Sequence, residues 1–184
     1  MRKVIVFAVV LGMAAWAGDA SEKGVPTSPF RIYSGGICAG GVQALNKKLQ
    51  DEQKNYLKLS LQNSWSFRKH AAVFFDINWF LPGINPGADI GFDFIPMAGS
   101  FRPFIGAGIG GHYFDKSTGK FGDKFGPSGT VHVGFSLDLT DRAQVRMRVP
   151  YYIVGNKTDD QVVGVEVGFL FSGRFKQVKK LNYN

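Results

Sequence analysis

Across much of this chain, apolar and polar residues alternate with a period of two. Over 129–139, Val131, Val133, Phe135, Leu137 and Leu139 fall on one face, and Thr130, His132, Gly134, Ser136 and Asp138 on the other. Successive side chains of a strand point to opposite faces, so this pattern predicts a strand with one apolar side. The same rhythm runs through 142–154, where Ala143, Val145, Met147, Val149, Tyr151 and Ile153 oppose Gln144, Arg146, Arg148 and Tyr152. It recurs in 161–172, with Val163, Val165, Val167, Phe169 and Phe171 against Gly164, Glu166 and Gly168. In 56–67, Leu57, Leu59, Leu61, Trp65 and Phe67 oppose Lys58, Ser60, Gln62, Ser64 and Ser66. In 70–81, Ala71, Val73, Phe75, Ile77, Trp79 and Leu81 oppose His70, Asp76 and Asn78, and 87–96 sets Ala88, Ile90, Phe92 and Phe94 against Asp89, Gly91 and Asp93.

Two further segments, 29–42 and 101–114, are strand-like but rich in glycine. Glycine weakens an isolated strand, yet it permits tight curvature and close backbone approach. A phosphate-cradling glycine loop would need a helix after it to present its amides. Here the glycines of 106–111 run into Tyr113-Phe114 instead. The eight segments are joined alternately by tight and longer connections. Arg68-Lys69, Met97–Ser100 and Thr140-Asp141 are tight; 43–55, 82–86, 115–128 and 155–160 are longer and polar. Tight turns on one side and larger loops on the other are what antiparallel strands threaded through a membrane require. The expectation is an all-β fold: an eight-stranded antiparallel up-and-down transmembrane β-barrel.

The amino terminus adds export. Met1-Arg2-Lys3 is a basic start, Val4 to Trp16 an apolar run, and Ala15-Trp16-Ala17 a small-x-small cleavage pattern. The apolar run is too short for a helical span, which needs about 20 residues. A signal peptide over 1–17 is expected, with cleavage at 20 as a second choice, followed by a lead over 18–28, the barrel over 29–172 and a tail over 173–184. The single cysteine, Cys38, excludes an intramolecular disulfide and reads as a small packed residue. The 24 glycines and 17 phenylalanines accompany a mean hydropathy of -0.04, as expected when lipid-facing and lumen-facing residues cancel in any window. The net charge of +8, or +6 without Arg2 and Lys3, is dispersed along the chain. It reads as solvated turns, loops and tail, with some attraction to anionic lipid headgroups, and nucleic acid is not an expected partner.

The polar faces carry charges of both signs: Lys58, Asp76, Asp89, Asp93, Arg102, Asp138, Arg146, Arg148 and Glu166, together with His132. An eight-stranded barrel is wide enough only for side chains, so these groups are expected to pair and plug the lumen. The alternative use is a narrow conductive path. A serine–histidine–acid set can be drawn from His132, Ser136, Asp138 and Glu166, but residues four apart on a strand are separated by roughly 13 Å, too far for a hydrogen bond. His70 and His112 show no partner in the sequence. No catalytic, metal-binding or cofactor-binding set is expected. Aromatic residues gather towards strand ends, at Trp65 and Phe67, Trp79 and Phe80, Phe101, Tyr113 and Phe114, Tyr151, Phe169 and Phe171. That placement fits the aromatic girdles of a membrane barrel.

With Phe101-Arg102-Pro103-Phe104-Ile105-Gly106-Ala107-Gly108-Ile109-Gly110 and the closing Val163 to Phe171, the chain resembles the small outer-membrane β-barrel proteins of Gram-negative bacteria, the OmpA transmembrane-domain and OmpX-like group. The likeness covers about 29–172. It implies outer-membrane location, lipid as surroundings, and the barrel-assembly machinery as a partner during biogenesis. Members of the group end on an aromatic residue that this machinery reads. Phe171 or Phe175 would serve here, and Lys176 to Asn184 follow as a solvated periplasmic tail. With both termini periplasmic, the four longer connections face outward. The first, 43–55, has helical composition, and the third, 115–128, carries Phe121 and Phe125 as candidate anchors for a surface partner of unknown identity. The rival to all of this is a soluble exported barrel of lipocalin type with an apolar ligand cavity. Alternation yields two faces but not which one points inward.

Overall fold

The computed structural model describes residues 33–68, 70–97, 99–117, 121–140 and 142–173. The expected signal peptide, the lead over 18–28, the first residues of the expected 29–42 strand and nearly all of the tail lie outside them. Eight strands follow one another: β1 (Tyr33–Ala44), β2 (Asn55–Arg68), β3 (Ala71–Leu81), β4 (Asn85–Phe94), β5 (Phe101–Tyr113), β6 (Phe125–Asp138), β7 (Ala143–Val154) and β8 (Asp160–Gly173). Each pairs antiparallel with its sequence neighbour, and β8 returns to β1 to close the barrel. Closure leaves no exposed sheet edge. A short helix, α1 (Lys47–Glu52), lies between β1 and β2, and one helical turn, Phe121–Lys124, precedes β6.

The connections divide the molecule into two ends. At the turn end, β2–β3, β4–β5 and β6–β7 are joined closely. At the loop end lie the segments 45–54, 82–84, 114–117, 121–124 and 155–159. The register is regular, apart from a bulge between Ser66 and Arg68 opposite β3.

One boundary moves substantially. β6 begins at Phe125, where Tyr113 pairs with it, four residues before the expected start. Gly126, Pro127 and Gly129 erase the apolar alternation there, so the strand reads as loop in sequence. Phe125 is therefore a strand residue on the outward face at the rim. Phe121, in the helical turn, stacks on it with ring centroids 5.6 Å apart.

The structure fixes which face points inward. Ile37, Leu57, Phe92, Ile105, Ile109 and Val167 are at least half exposed on the outside, while Lys58, Asp76, Asp89, Arg148 and Glu166 are at most 2% exposed within. A soluble barrel around an apolar cavity needs the reverse, so that alternative is set aside. Two aromatic assignments also change. Phe80 and Phe114 are fully buried in the lumen and take no part in an outer girdle. The outward set at the turn end includes Trp65, Phe67, Phe169 and Phe171, and Tyr33 packs on Trp65 at 5.7 Å. Trp79 and Tyr113 lie outward near the loop end.

The glycines of β5 make room for side chains as well as curvature. A Cβ at Gly106 would collide with the Asp93 carboxylate and the His132 ring, and one at Gly110 would crowd Asp89 Oδ1 at 2.5 Å. The lumen charges fit because the wall facing them is thin.

Candidate functional site

The lumen is filled in layers from the turn end to the loop end. At the turn end, Arg102 of β5 forms a two-pronged pair with Asp138 of β6, Nη1 donating to Oδ2 at 3.0 Å and Nη2 to Oδ1. The same guanidinium donates to Gln144 Oε1 at 2.7 Å. The planar fork of arginine matches a carboxylate in this geometry.

Asp93 of β4 anchors the next layer. It accepts from Arg146 Nη2 at 2.6 Å and meets His132 Nε2 at 2.7 Å. Phe104 supports both partners, with the Arg146 guanidinium 4.0 Å above its ring and the His132 ring steeply inclined to it at 5.8 Å between centroids. The middle layer turns on Glu166 of β8, which accepts from Lys58 Nζ at 2.6 Å and from Gln62 Nε2 at 3.0 Å, and forms an ion pair with the Arg148 guanidinium. Arg148 Nη1 reaches across to Asp76 at 2.6 Å. Cys38 packs in this half of the lumen as a buried free thiol.

Above it, Asp89 accepts from Asn78 Nδ2 at 2.7 Å and Ser128 Oγ at 3.2 Å, and meets His112 Nε2 at 2.9 Å. Buried charges survive only when paired and hydrogen-bonded, and each carboxylate of these layers has at least one cationic or donor partner.

The chemistry then changes. Towards the loop end the lumen becomes apolar: Val42, Tyr56, Phe80, Phe114, Val154 and Val162 fill it, and Leu49 of α1 closes it from above. Phe80 sits edge-on to Tyr152 at 5.9 Å and Tyr56 at 6.4 Å, the geometry ring quadrupoles favour. α1 is short, and the burial of Leu49 is what gives its fold a purpose here.

A polar cap lies over this plug. Asp160, at the start of β8, accepts from Asn156 Nδ2 at 2.7 Å, Thr158 Oγ1 at 2.6 Å and Asn46 Nδ2 at 3.2 Å, and pairs with Lys116 Nζ at 2.7 Å. These partners come from three loops, so one buried carboxylate ties them together. Ser117 Oγ donates to Glu52 of α1 at 2.8 Å, adding an outer tie. On the exposed side, the hydrogen bond from Lys124 holds the Asp115 carboxyl below its usual range.

All ten residues expected to line the lumen point into it, in separate layers. Lys58, Arg148, Asp76 and Glu166 come together, as do Asp93, His132 and Arg146, and Arg102 with Asp138. Asp89 joins none of these and pairs instead with His112. His112 had shown no partner in the sequence, because Asp89 lies 23 positions away on the neighbouring strand. His70 likewise meets the Ile95 carbonyl at 2.8 Å, at the turn end. The serine–histidine–acid set is not assembled: His132 turns to Asp93, Asp138 to Arg102, and Glu166 to Lys58. Gln62 and Asn78 had the correct parity in sequence but carried no charge to mark them. The cap residues Asn46, Lys116, Asn156, Thr158 and Asp160 gave no periodic signal.

No protein-family model matches this chain, and no curated protein does. Solved structures do. Neisserial surface protein A superposes with a TM-score of 0.59 at 13% identity, covering 77% of this chain and 97% of that one. The N-terminal β-barrel domain of Pseudomonas aeruginosa OprF gives 0.56 at 11% identity, with 77% and 98% covered. A de novo designed transmembrane β-barrel gives 0.50 at 10% identity, with 79% and 99% covered. The fold is that of the small eight-stranded outer-membrane barrels. Such barrels present an apolar band to lipid, and the outward Ile, Leu, Val and Phe residues of this chain form one.

Proposed function

We propose that this chain is a non-enzymatic integral outer-membrane protein, exported by its amino-terminal signal, with a sealed lumen and a rigid loop end offered to the surroundings. The observation that carries this is the inverted distribution of polarity: an apolar exterior encloses paired charges. In water such an exterior would drive aggregation, whereas in a bilayer it is the stable arrangement. Two seals support the plugged lumen, ion pairs over most of its depth and apolar packing beneath α1. Membrane lipid is the immediate partner, and the barrel-assembly machinery serves during biogenesis.

The loop end supports a surface role. The Asp160 network and the Glu52–Ser117 tie hold three loops over the mouth, and binding sites concentrate on loops set by a rigid scaffold. The structural relative from Neisseria is by name a surface protein. Phe121, 70% exposed, is the foremost candidate contact, with Phe125 stacked behind it.

Fractionation of an expressing Gram-negative cell tests the membrane reading. An outer-membrane band whose gel mobility shifts on boiling is the expected result. A freely soluble periplasmic protein would overturn it. Deleting 116–125 is expected to reduce binding to cells or matrix while the heat-modifiable band persists, and unchanged binding would remove the anchor role.

A further inference from the structure

The outer wall carries a groove of about 530 Å³, opening to the bilayer side near the loop end and crossing four adjacent strands. Val149 of β7 and Asn55 of β2 flank it, Val163 and Val165 of β8 line it, and Gly41 and Gln43 of β1 complete it. A Cβ built at Gly41 meets no heavy atom within 4 Å, so the space over that residue is open. The β7–β8 ladder beside it is interrupted over two residues with its register unchanged. β7–β8 pairing runs to Arg148↔Glu166 and resumes at Tyr151↔Val163. Pro150 lies in the gap and has no amide N–H to give to a ladder.

The groove is graded in polarity. Its deeper lining, Gly41, Val165 and Val149, is apolar, and its polar members, Gln43 and Asn55, are paired partners at the last rung before the loop, with Val163 beside Gln43. Lys54, exposed on the rim, follows at once, and its carbonyl accepts from Ala44 N at 2.9 Å, which fixes the backbone there. An aliphatic trough below, amide side chains at the interface and an ammonium above match an acyl chain, its ester region and a phosphate, in that order.

We infer that this groove is a specific site for one anionic membrane lipid, with an acyl chain over Gly41 and its phosphate at Lys54. The site rests on the membrane reading above. Gly129 supplies a matched control. It faces outward on β6, away from the groove, and a Cβ built there also meets nothing within 4 Å.

The test is native mass spectrometry of the full chain, released from detergent after titration with phosphatidylglycerol or with phosphatidylethanolamine of the same acyl chains. Wild type and Gly129→Phe should each retain one phosphatidylglycerol. Gly41→Phe should lower its occupancy about tenfold, the loss of roughly one good apolar contact. Lys54→Gln should bring the two lipids to near parity. If Gly41→Phe does not fold, Val149→Phe narrows the same groove from β7. Equal retention by Gly41→Phe and wild type, or equal loss in Gly129→Phe, overturns the site. A heat-modifiable band for each variant separates that failure from failure of the membrane reading, under which no variant would fractionate with the outer membrane.

Discussion

The two halves of the lumen are filled by opposite means. From the turn end to Asp89, the interior is held by charges that must find each other: Arg102 with Asp138, Arg146 and His132 with Asp93, Lys58 and Arg148 with Glu166 and Asp76. Near the loop end it is held by Phe80, Phe114, Tyr56 and Leu49, which need only be apolar and well shaped. The first kind of seal is brittle to the loss of one partner and tolerant of losing both. The second responds in proportion to the volume removed. In the sealed lumen proposed above, packing shuts one end to ions and paired charge shuts the rest.

The largest effect should come from Glu166→Ala. It strands Lys58 and Arg148 together without their shared carboxylate, and removing one partner of a buried pair costs about 3–5 kcal/mol. Urea unfolding in lipid vesicles should show that loss. The double change Lys58→Met with Glu166→Leu should recover most of it, which no purely volumetric account expects.

Phe80→Ala sharpens the contrast from the other half. A fully buried ring lost from the plug should cost about 3–4 kcal/mol, and no second substitution of a charge should restore it. Leu49→Ala acts through the same plug at about 2–3 kcal/mol, and faster proteolysis of the segment 45–54 would report it.

Asp160→Ala should cost about 1–3 kcal/mol, because Lys116 and Asn156 lose a shared buried acceptor. Its mark would be rapid amide exchange in the loops with the strands still protected. Phe121→Ala should change stability by less than about 0.5 kcal/mol, since the ring is largely exposed, and a larger shift in the urea midpoint would mean that it packs as part of the rim.

Much of the architecture was legible because strands carry a period of two. β3 and β7 could be read almost to the residue, since Ile77, Trp79, Met147 and Val149 alternate with Asp76, Asn78, Arg146 and Arg148. The start of β6 was hidden because Gly126 and Gly129 carry no side chain to alternate and Pro127 reads as a turn residue. The direction of the faces was hidden for a deeper reason, since a pattern of two is symmetric until something decides which side meets water. Partner choice was hidden because it depends on register between distant segments: Lys58 and Glu166 lie 108 positions apart, and Asp93 and His132 lie 39 apart. The inward aromatics Phe80 and Phe114 broke the equation of aromatic with outward. The cap around Asp160 joins three loops, and loops have no period to read.

The measurement that bears most directly on the sealed lumen is current through a planar bilayer containing the purified, heat-modifiable barrel in concentrated salt. A sealed lumen predicts no steady conductance for the wild-type chain, and unitary openings at most after Phe80→Ala removes one buried ring of the plug. A steady, water-filled pore in the wild-type protein would contradict it, because neither the ion-pair layers nor the apolar plug could then be closing the path.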